Sequence, residues 1–260
     1  VHLMPGNYEG RIKGANSLGG AVYDNGFNVF AFGAMGKQFN DIGMSMANCV
    51  RLKFPDLLPE VIVDVGCTIG HNTLPWKETF SSAEVYGLDL AGPCLQYAHA
   101  RAEAMNIKAH FRQASAQELP FNDESVDILF SSMFLHEMPV KEIRKFMDET
   151  FRVLKKGGVM IHMELPPNDS LSPYDAFYLD WDSYYNNEPF YKTFRDLGYR
   201  DLCSTAGFHE KSFFESVMPR FTYVSEEFFE AAVSADASFD ENTGRLSDGI
   251  QWYGFGSRKD

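Results

Sequence analysis

Two glycines lie in a turn that directly follows the most β-branched run of the sequence, residues 61–65. The turn contains Asp64, Gly66, Cys67 and Gly70, and a helical stretch begins close after it. Glycine lets the backbone approach a ligand, and the unpaired N–H groups at a helix start bind a carboxylate or a phosphate. The spacing therefore predicts a ligand-binding loop.

An acidic residue, Asp89, ends the next predicted strand, about twenty residues after Gly70. A carboxylate at this position can accept hydrogen bonds from both hydroxyls of a ribose. A G-x-x-x-G turn alone is weak evidence, because ordinary tight turns share it. Together with the strand and the acid, it predicts a site for a nucleoside cofactor.

The motifs of three other classes of nucleotide-dependent protein are absent from the sequence. A dinucleotide site needs G-x-G-x-x-G, whereas only Gly66 and Gly70 are present here. The Y-x-x-x-K pair of many nicotinamide enzymes occurs nowhere in the chain. Gly36 and Lys37 are followed by Gln38 where a P-loop requires serine or threonine.

The elements that position these residues alternate between short apolar runs and segments of helical period. This rhythm predicts an α/β core with a parallel sheet, in which Gly157 and Gly158 end the last helix. The predicted strands are 61–65, 84–90, 108–112, 126–131 and 159–165, and the predicted helices include 94–105 and 140–154.

Four units are expected along the chain. Residues 1–56, rich in Gly, Phe and Met and without a strong period, are predicted to form a lid or cap before the core at 57–165. Residues 166–191 are predicted to form an inserted aromatic cap. Residues 192–260 are expected to complete the sheet, with a helix over 192–206, a strand over 211–218 and an antiparallel closing strand over 250–256.

Residues 58–165 resemble the class I S-adenosylmethionine-dependent methyltransferases, especially the small-molecule branch related to ubiquinone and menaquinone methyltransferases. The matches fall in family order. Residues 61–70 look like the motif D-x-G-C-G-T-G, and residues 114–121 are similar to G-D-A-x-x-L-P-F. Residues 86–90, 125–132 and 152–158 resemble the ribose-binding strand, the fourth strand and the turn that precedes the fifth.

The resemblance implies a Rossmann-like fold that binds S-adenosyl-L-methionine. The family's cofactor positions fall here on Asp64, Gly66, Cys67, Gly70, Thr73, Asp89, Leu90, Ser115, Ala116 and Ser132.

Two positions depart from the family pattern. Thr68 stands where the family has its middle glycine, which predicts a displaced loop or a shifted cofactor. Ser115 replaces the usual aspartate, so the bond to the adenine amino group is expected from Gln117, a backbone group or water.

His136, just after the fourth predicted strand, is the candidate catalytic residue. Methyl transfer from a sulfonium is an in-line displacement, so a base is needed only when the acceptor loses a proton. Imidazole titrates near neutral pH and suits that role. The other interpretation is a histidine bonded to a neighbouring loop, and His162, inside the fifth strand, is interpreted as a core histidine.

Tyr178, Trp181 and Tyr185 share one face of a helix that is predicted to begin at Ser172 and Pro173. We expect this face to be buried against the carboxyl end of the sheet and to form the acceptor wall. Ordinary core packing is the other interpretation, and both stay open here.

Composition narrows the partners and the location. The chain has 23 Lys and Arg against 36 Asp and Glu, a formal net charge of −13, which repels a phosphate backbone. No apolar stretch has the length of a membrane span, so a cytoplasmic protein without membrane contact is predicted. The four cysteines are widely spaced, and no metal set is predicted.

The predicted function is methyl transfer from S-adenosyl-L-methionine to a small, partly apolar molecule. The alternatives are another reaction that consumes this cofactor, such as cyclisation, and a non-catalytic nucleoside-binding scaffold. The oligomeric state is not predicted.

Overall fold

A seven-stranded mixed sheet forms the centre of the computed structural model, which describes residues 17–31, 33–234 and 251–260. The strand order is β3-β2-β1-β4-β5-β7-β6. Strands β1 to β5 are parallel, and β7 pairs antiparallel with both β5 and β6, so the predicted mostly parallel sheet with an antiparallel closing strand is confirmed. The strands are β1 Val61–Val65, β2 Glu84–Asp89, β3 His110–Gln113, β4 Val126–Ser132, β5 Leu154–Glu164, β6 Phe213–Pro219 and β7 Gln251–Arg258.

Helices cover both faces of this sheet. None in the described ranges has the length and apolar character needed to cross a bilayer. The helices are α1 Leu18–Phe30, α2 Asp41–Lys53, α3 Leu74–Thr79, α4 Gly92–Met105, α5 Val140–Val153, α6 Pro173–Asn186, α7 Tyr191–Arg195, α8 Tyr199–Thr205 and α9 Glu226–Ser234.

The core is split into two layers by the sheet. Successive side chains of a strand point to opposite faces, so Val63 packs with α5 and α8 while Ile62 packs with α2, α3 and α9. Because β1, β2, β4 and β5 are parallel, their carboxyl ends lie along one edge of the sheet. The loops that leave these ends can therefore share one site.

The predicted stop at Gly157 and Gly158 is wrong. Helix α5 ends at Val153, and Leu154 already has extended backbone and pairs with Val126 at the start of β5. The two glycines lie inside β5, where the pairing with β4 shifts register and Gly157 adopts a φ of +80°. They form an irregularity within the strand.

The prediction of a single helix over 192–206 is also wrong, because this segment contains two helices. It is divided into α7 and α8 by Gly198, whose backbone is extended, with φ −75° and ψ 108°. Helix α2 was not predicted because it is buried on almost every side, which removes the amphipathic period. The first 16 residues of the predicted lid lie outside the described residues.

Candidate active site

The loop after β1 is tied by hydrogen bonds to the end of β2. The backbone N–H groups of Gly66 and Cys67 donate to the carbonyl of Leu88 at 2.8 and 3.0 Å. Gly66 has a φ of +81°, and a methyl group there would overlap the Phe134 ring. Only glycine fits this position without displacing its neighbours.

Thr68 adopts the left-handed conformation that the family's glycine would provide, with a φ of +49°. A β-branched residue is unfavourable there, at a cost of about 1–2 kcal/mol. The loop therefore keeps this backbone conformation with a strained threonine in place of glycine. The Thr68 N–H donates to Asp89 Oδ2 at 2.9 Å.

Asp89 lies at the end of β2 with its carboxylate fixed on two sides. Its Oδ2 accepts from Thr68, and its Oδ1 accepts from the Ala91 N–H at 2.8 Å. Each carboxylate oxygen has a second lone pair, so the group can also accept ribose hydroxyls. Leu90 follows with an exposed side chain.

Asp64 is buried at the base of the same loop. Its Oδ2 accepts from the Thr73 hydroxyl at 2.6 Å, while its Oδ1 is buried with no hydrogen-bond partner among the described residues. Burial raises the pKa of Asp64 to about 7; the Thr73 bond opposes this rise and the charge of Asp89 adds to it. A cationic group beside Oδ1, such as the α-ammonium of a bound amino acid, would complete this site.

The segment after β3 arranges Ser115 and Gln117 around each other. The Ser115 hydroxyl donates to the Gln117 side-chain carbonyl and accepts from the Gln117 N–H, the latter at 3.2 Å. The side-chain amide nitrogen of Gln117 lies 3.7 Å from the Met138 sulfur. Ala116, which separates Ser115 from Gln117 in the sequence, is buried. Gln117 therefore lies where the sequence expects a replacement for the aspartate, and its contact with adenine stays a prediction.

Asn72 is a site residue that sequence reasoning missed. Its Oδ1 accepts from the Gly43 N–H at 3.0 Å, and its Nδ2 donates to Ser132 Oγ at 2.8 Å. It thus joins the first turn of α2 to the end of β4. Its position within the segment between Gly70 and α3 was the one available signal.

His136 is buried in a 3-10 turn, Leu135–Glu137, after β4. Its Nδ1 lies 2.6 Å from Glu164 Oε2, and Glu164 Oε1 accepts from the N–H groups of Phe134 and Leu135 at 2.7 and 2.6 Å. Glu164 therefore fixes both the turn and the ring. On the other side, His136 Nε2 lies 4.0 Å from Glu188 Oε2.

The charges around His136 decide its proton state. Burial lowers the pKa of His136, but the ion pair and hydrogen bond with Glu164, together with the charges of Glu137 and Glu188, outweigh burial and raise it. His162 is different: its Nδ1 lies 2.8 Å from Ser131 Oγ, and burial lowers its pKa to about 3.

The expectation that the aromatic face of α6 is buried is wrong. The side chains of Tyr178, Trp181 and Tyr185 are 46%, 48% and 64% exposed. The buried residues of α6 are Asp175, Leu179 and Ser183, because the Ser172 cap holds Asp175 inward and Leu179 packs with Leu165, Leu171 and Tyr191. The predicted start at Ser172 and Pro173 is confirmed, and the acceptor role of the three rings stays a prediction.

Helix α1 lies beside the loop through contacts with α4 and His71. Tyr97 donates to Asp24 Oδ2 at 2.7 Å, and Arg101 forms an ion pair with Asp24 at 3.2 Å. Tyr23, within α1, has its ring centroid 5.8 Å from that of His71. These contacts place α1 where a lid is expected, and the lid function stays a prediction.

Comparison with known proteins finds relatives of the core. Residues 62–158 match a family model described as a methyltransferase domain. The demethylmenaquinone methyltransferase of Thermus thermophilus is 34% identical over 109 residues, which cover 42% of this chain and 49% of that protein. The malonyl-[acyl-carrier protein] O-methyltransferase 1 of Coxiella burnetii is 28% identical over 173 residues, covering 65% and 56% respectively.

The chain spans about half the length of these curated relatives. Among solved structures, the phosphoethanolamine N-methyltransferase 2 of Haemonchus contortus has a TM-score of 0.62 at 18% identity, covering 94% of this chain and 60% of that one. At this identity the likeness concerns the fold. Residues 62–158 are therefore similar to the methyltransferase domain family, and the described chain shares its fold with solved methyltransferases.

Proposed function

We propose that the protein transfers a methyl group from S-adenosyl-L-methionine to a small, partly apolar acceptor by in-line displacement. The observation that carries the proposal is the pair of carboxylates, Asp64 and Asp89, at the carboxyl ends of the neighbouring strands β1 and β2. Asp89 is fixed by two backbone N–H groups, and Asp64 keeps a buried oxygen with no described partner. A ribose and an amino-acid ammonium are the two groups that these carboxylates would recognise.

Each part of the cofactor has its own proposed set of binding residues. Asp89 would hold the ribose, Asp64 with Thr73 would face the amino-acid end, and Ser115 with Ala116 would lie beside the adenine. Gly66 and Gly70 keep the loop close to the ligand, and Cys67 is buried within it. The bound cofactor supplies an electrophilic methyl group on a sulfonium.

His136 is the proposed proton acceptor on the other side of the methyl group. Glu164 holds its Nδ1, so the ring can accept a proton only at Nε2. A buried position excludes water from this step. The net charge of −13 favours a small molecule over nucleic acid as the acceptor.

Calorimetry with S-adenosyl-L-methionine and its demethylated product tests the proposal. Wild-type protein should bind both, and Asp89→Ala should weaken binding at least about tenfold, because each charged hydrogen bond contributes roughly 1.5–3 kcal/mol. Asp123→Ala, which removes an exposed acid elsewhere, is the matched control and should bind as the parent does. Unchanged affinity in Asp89→Ala would refute the ribose assignment.

Mass spectrometry of the reaction products separates the alternatives. Methyl transfer gives the demethylated cofactor and an acceptor heavier by one methylene. Loss of cofactor without a methylated acceptor would indicate cyclisation or a related reaction, and binding without any turnover would indicate a scaffold.

A further inference from the structure

Glu188 lies in the short connection between α6 and α7 and faces the second ring nitrogen of His136. The two groups are 4.0 Å apart, between Glu188 Oε2 and His136 Nε2, and their side chains are 9% and 4% exposed. Since Glu164 occupies Nδ1, both nitrogens of the ring face carboxylates. A ring held in this way is stabilised as the imidazolium.

Glu188 is positioned as an extension of α6. The helix ends at Asn186, its C-cap residue Asn187 has a left-handed φ of +54°, and the Glu188 N–H donates back to the Ser183 carbonyl at 2.9 Å. The Tyr191 N–H donates to the Glu188 carbonyl at 3.4 Å, and the Tyr191 ring stands edge-on to His136 with centroids 4.7 Å apart. A displacement of α6 would therefore carry Glu188 with it.

Among the described residues, helix α6 packs mainly against α7 and the segment that follows β5. Leu179 packs in a small cluster with Leu165 and Tyr191, and Asp180 pairs with Arg195 at 2.6 Å and with Lys192 at 3.0 Å. Its large rings face solvent. Both main core layers consist of other elements, so a displacement of α6 would leave them closed.

We propose that Glu188 is a displaceable partner of His136 and that the acceptor takes its place before methyl transfer. The inference rests on the proposed function. His136 faces Glu164 from β5, Glu137 from its own turn, Glu188 from the α6 connection and Tyr191 from α7. Of these, Glu188 combines contact at Nε2 with attachment to a peripheral helix.

The proton balance of the exchange is explicit. With Glu188 in place, the Nδ1 proton faces Glu164 and the Nε2 proton faces Glu188. As Glu188 withdraws, it takes the Nε2 proton and releases it to water, which leaves neutral His136 with a free lone pair. The acceptor then gives its proton to Nε2, its electron pair forms the bond to the methyl carbon, and the carbon–sulfur electron pair remains on sulfur.

This exchange defines the class of acceptor. The group that replaces Glu188 must donate a hydrogen bond to a neutral imidazole nitrogen, so it is a hydroxyl or an amine N–H. An acceptor methylated at a carbon without an acidic proton, or at a thioether sulfur, would have no use for the exchange.

Labelling with diethyl pyrocarbonate tests the inference without an acceptor, because this reagent acylates a histidine ring only where the ring is accessible and neutral. We expect Glu188→Ala to raise the labelling rate of His136 by about tenfold or more, because loss of the facing carboxylate lowers the pKa of His136. His110, which is 42% exposed at its side chain, serves as the internal reference in the same digest. Peptide mass spectrometry measures both sites.

Glu137→Ala is the matched control, since it removes a carboxylate near His136 from the histidine's own turn. It should give a much smaller increase than Glu188→Ala. Equal increases in the two variants, or none in Glu188→Ala, would overturn the inference. Glu188→Gln, which keeps the volume, replaces Glu188→Ala if a melting curve shows unfolding, and should also accelerate labelling.

Calorimetry on the same samples keeps this test separate from the proposed function. Glu188→Ala should bind S-adenosyl-L-methionine as the parent does. Failure of the wild-type protein to bind the cofactor would refute the proposed function, while the labelling result would still report on the His136–Glu188 pair.

Discussion

His136 is held by Glu164 in an orientation that leaves only Nε2 for chemistry. We expect His136→Ala to lower turnover by about a hundredfold or more, because a positioned general base contributes roughly that factor. Cofactor affinity should change little, since the proposed cofactor contacts come from the loop after β1 and from Asp89. The measurement is turnover with radiolabelled cofactor beside calorimetry, with His110→Ala as the control.

A Glu164→Gln variant shows whether His136 acts in catalysis or in structure. With its main carboxylate partner removed, the pKa of His136 should fall, so the rise of turnover with pH should move to lower pH. Full turnover and an unaltered pH profile in His136→Ala would assign this histidine to packing.

Gly66 and Gly26 form a pair of glycines with opposite expectations. At Gly66 the φ of +81° and the Phe134 ring both oppose a side chain, so Gly66→Ala should cost about 2 kcal/mol or more of unfolding free energy. At Gly26, inside α1, nothing lies within 4 Å of an added Cβ, so Gly26→Ala should stabilise by about 0.5–1 kcal/mol. Urea denaturation measures both; equal effects would contradict the loop geometry.

Helix α6 has one buried face, which contains Leu179, and one exposed face, which contains Trp181 and Tyr185. Substitutions on the two faces should therefore affect stability differently. Trp181→Ala and Tyr185→Ala should each change the unfolding free energy by less than about 0.5 kcal/mol, because both rings are largely exposed. Leu179→Ala should cost about 2–3 kcal/mol, since this side chain is 2% exposed. Thermal and urea unfolding test the three variants together.

The acceptor kinetics of the same variants test the function of the rings. If Trp181→Ala and Tyr185→Ala raise the acceptor KM and keep stability, the rings contact the acceptor. If neither stability nor acceptor kinetics changes, the assignment of Tyr178, Trp181 and Tyr185 to the acceptor wall is wrong.

The elements also show what sequence patterns can predict here. Strand β1 and the start of α6 follow from local signals, a β-branched run and a Ser-Pro cap, and both are confirmed. Which face of α6 is buried depends on its contacts with the rest of the protein, which the helical period alone does not give. The hydrogen bond from the Ser172 hydroxyl to Asp175 places this aspartate, and not an aromatic ring, on the buried face. The contacts of His136 with Glu164 and Glu188 join separate parts of the chain, so spacing alone could not reveal them.

For the whole molecule, stability should fall as the pH drops from 6 to 5. Burial lowers the pKa of His71 and of His162 to about 3, with the charge of Arg101 adding to the shift at His71. Both histidines therefore stay neutral in the native state, while in the unfolded state they bind protons below about pH 6.5. The stability present above that pH is lost as the pH falls.

Asp64 acts in the opposite direction. Its native pKa of about 7 lies above the unfolded value, so in this window the native state binds one proton that the unfolded state does not. Two protons taken up by the unfolded histidines against one by native Asp64 leave a net slope of about 1.4 kcal/mol per pH unit. His162→Gln should flatten that slope nearly to zero in urea titrations at pH 5, 5.5 and 6; an unchanged slope would contradict the assignment.

The solvent-facing position of Trp181 gives the protein a built-in optical reporter. The chain has three tryptophans: Trp76 is fully buried, Trp252 is half-buried, and Trp181 lies on the ring face of α6. An indole in water emits at longer wavelength and is quenched by acrylamide, whereas a buried indole is shielded. The red, quenchable part of the emission therefore comes mainly from α6, and its blue shift on addition of an acceptor would follow that helix in real time without any attached dye.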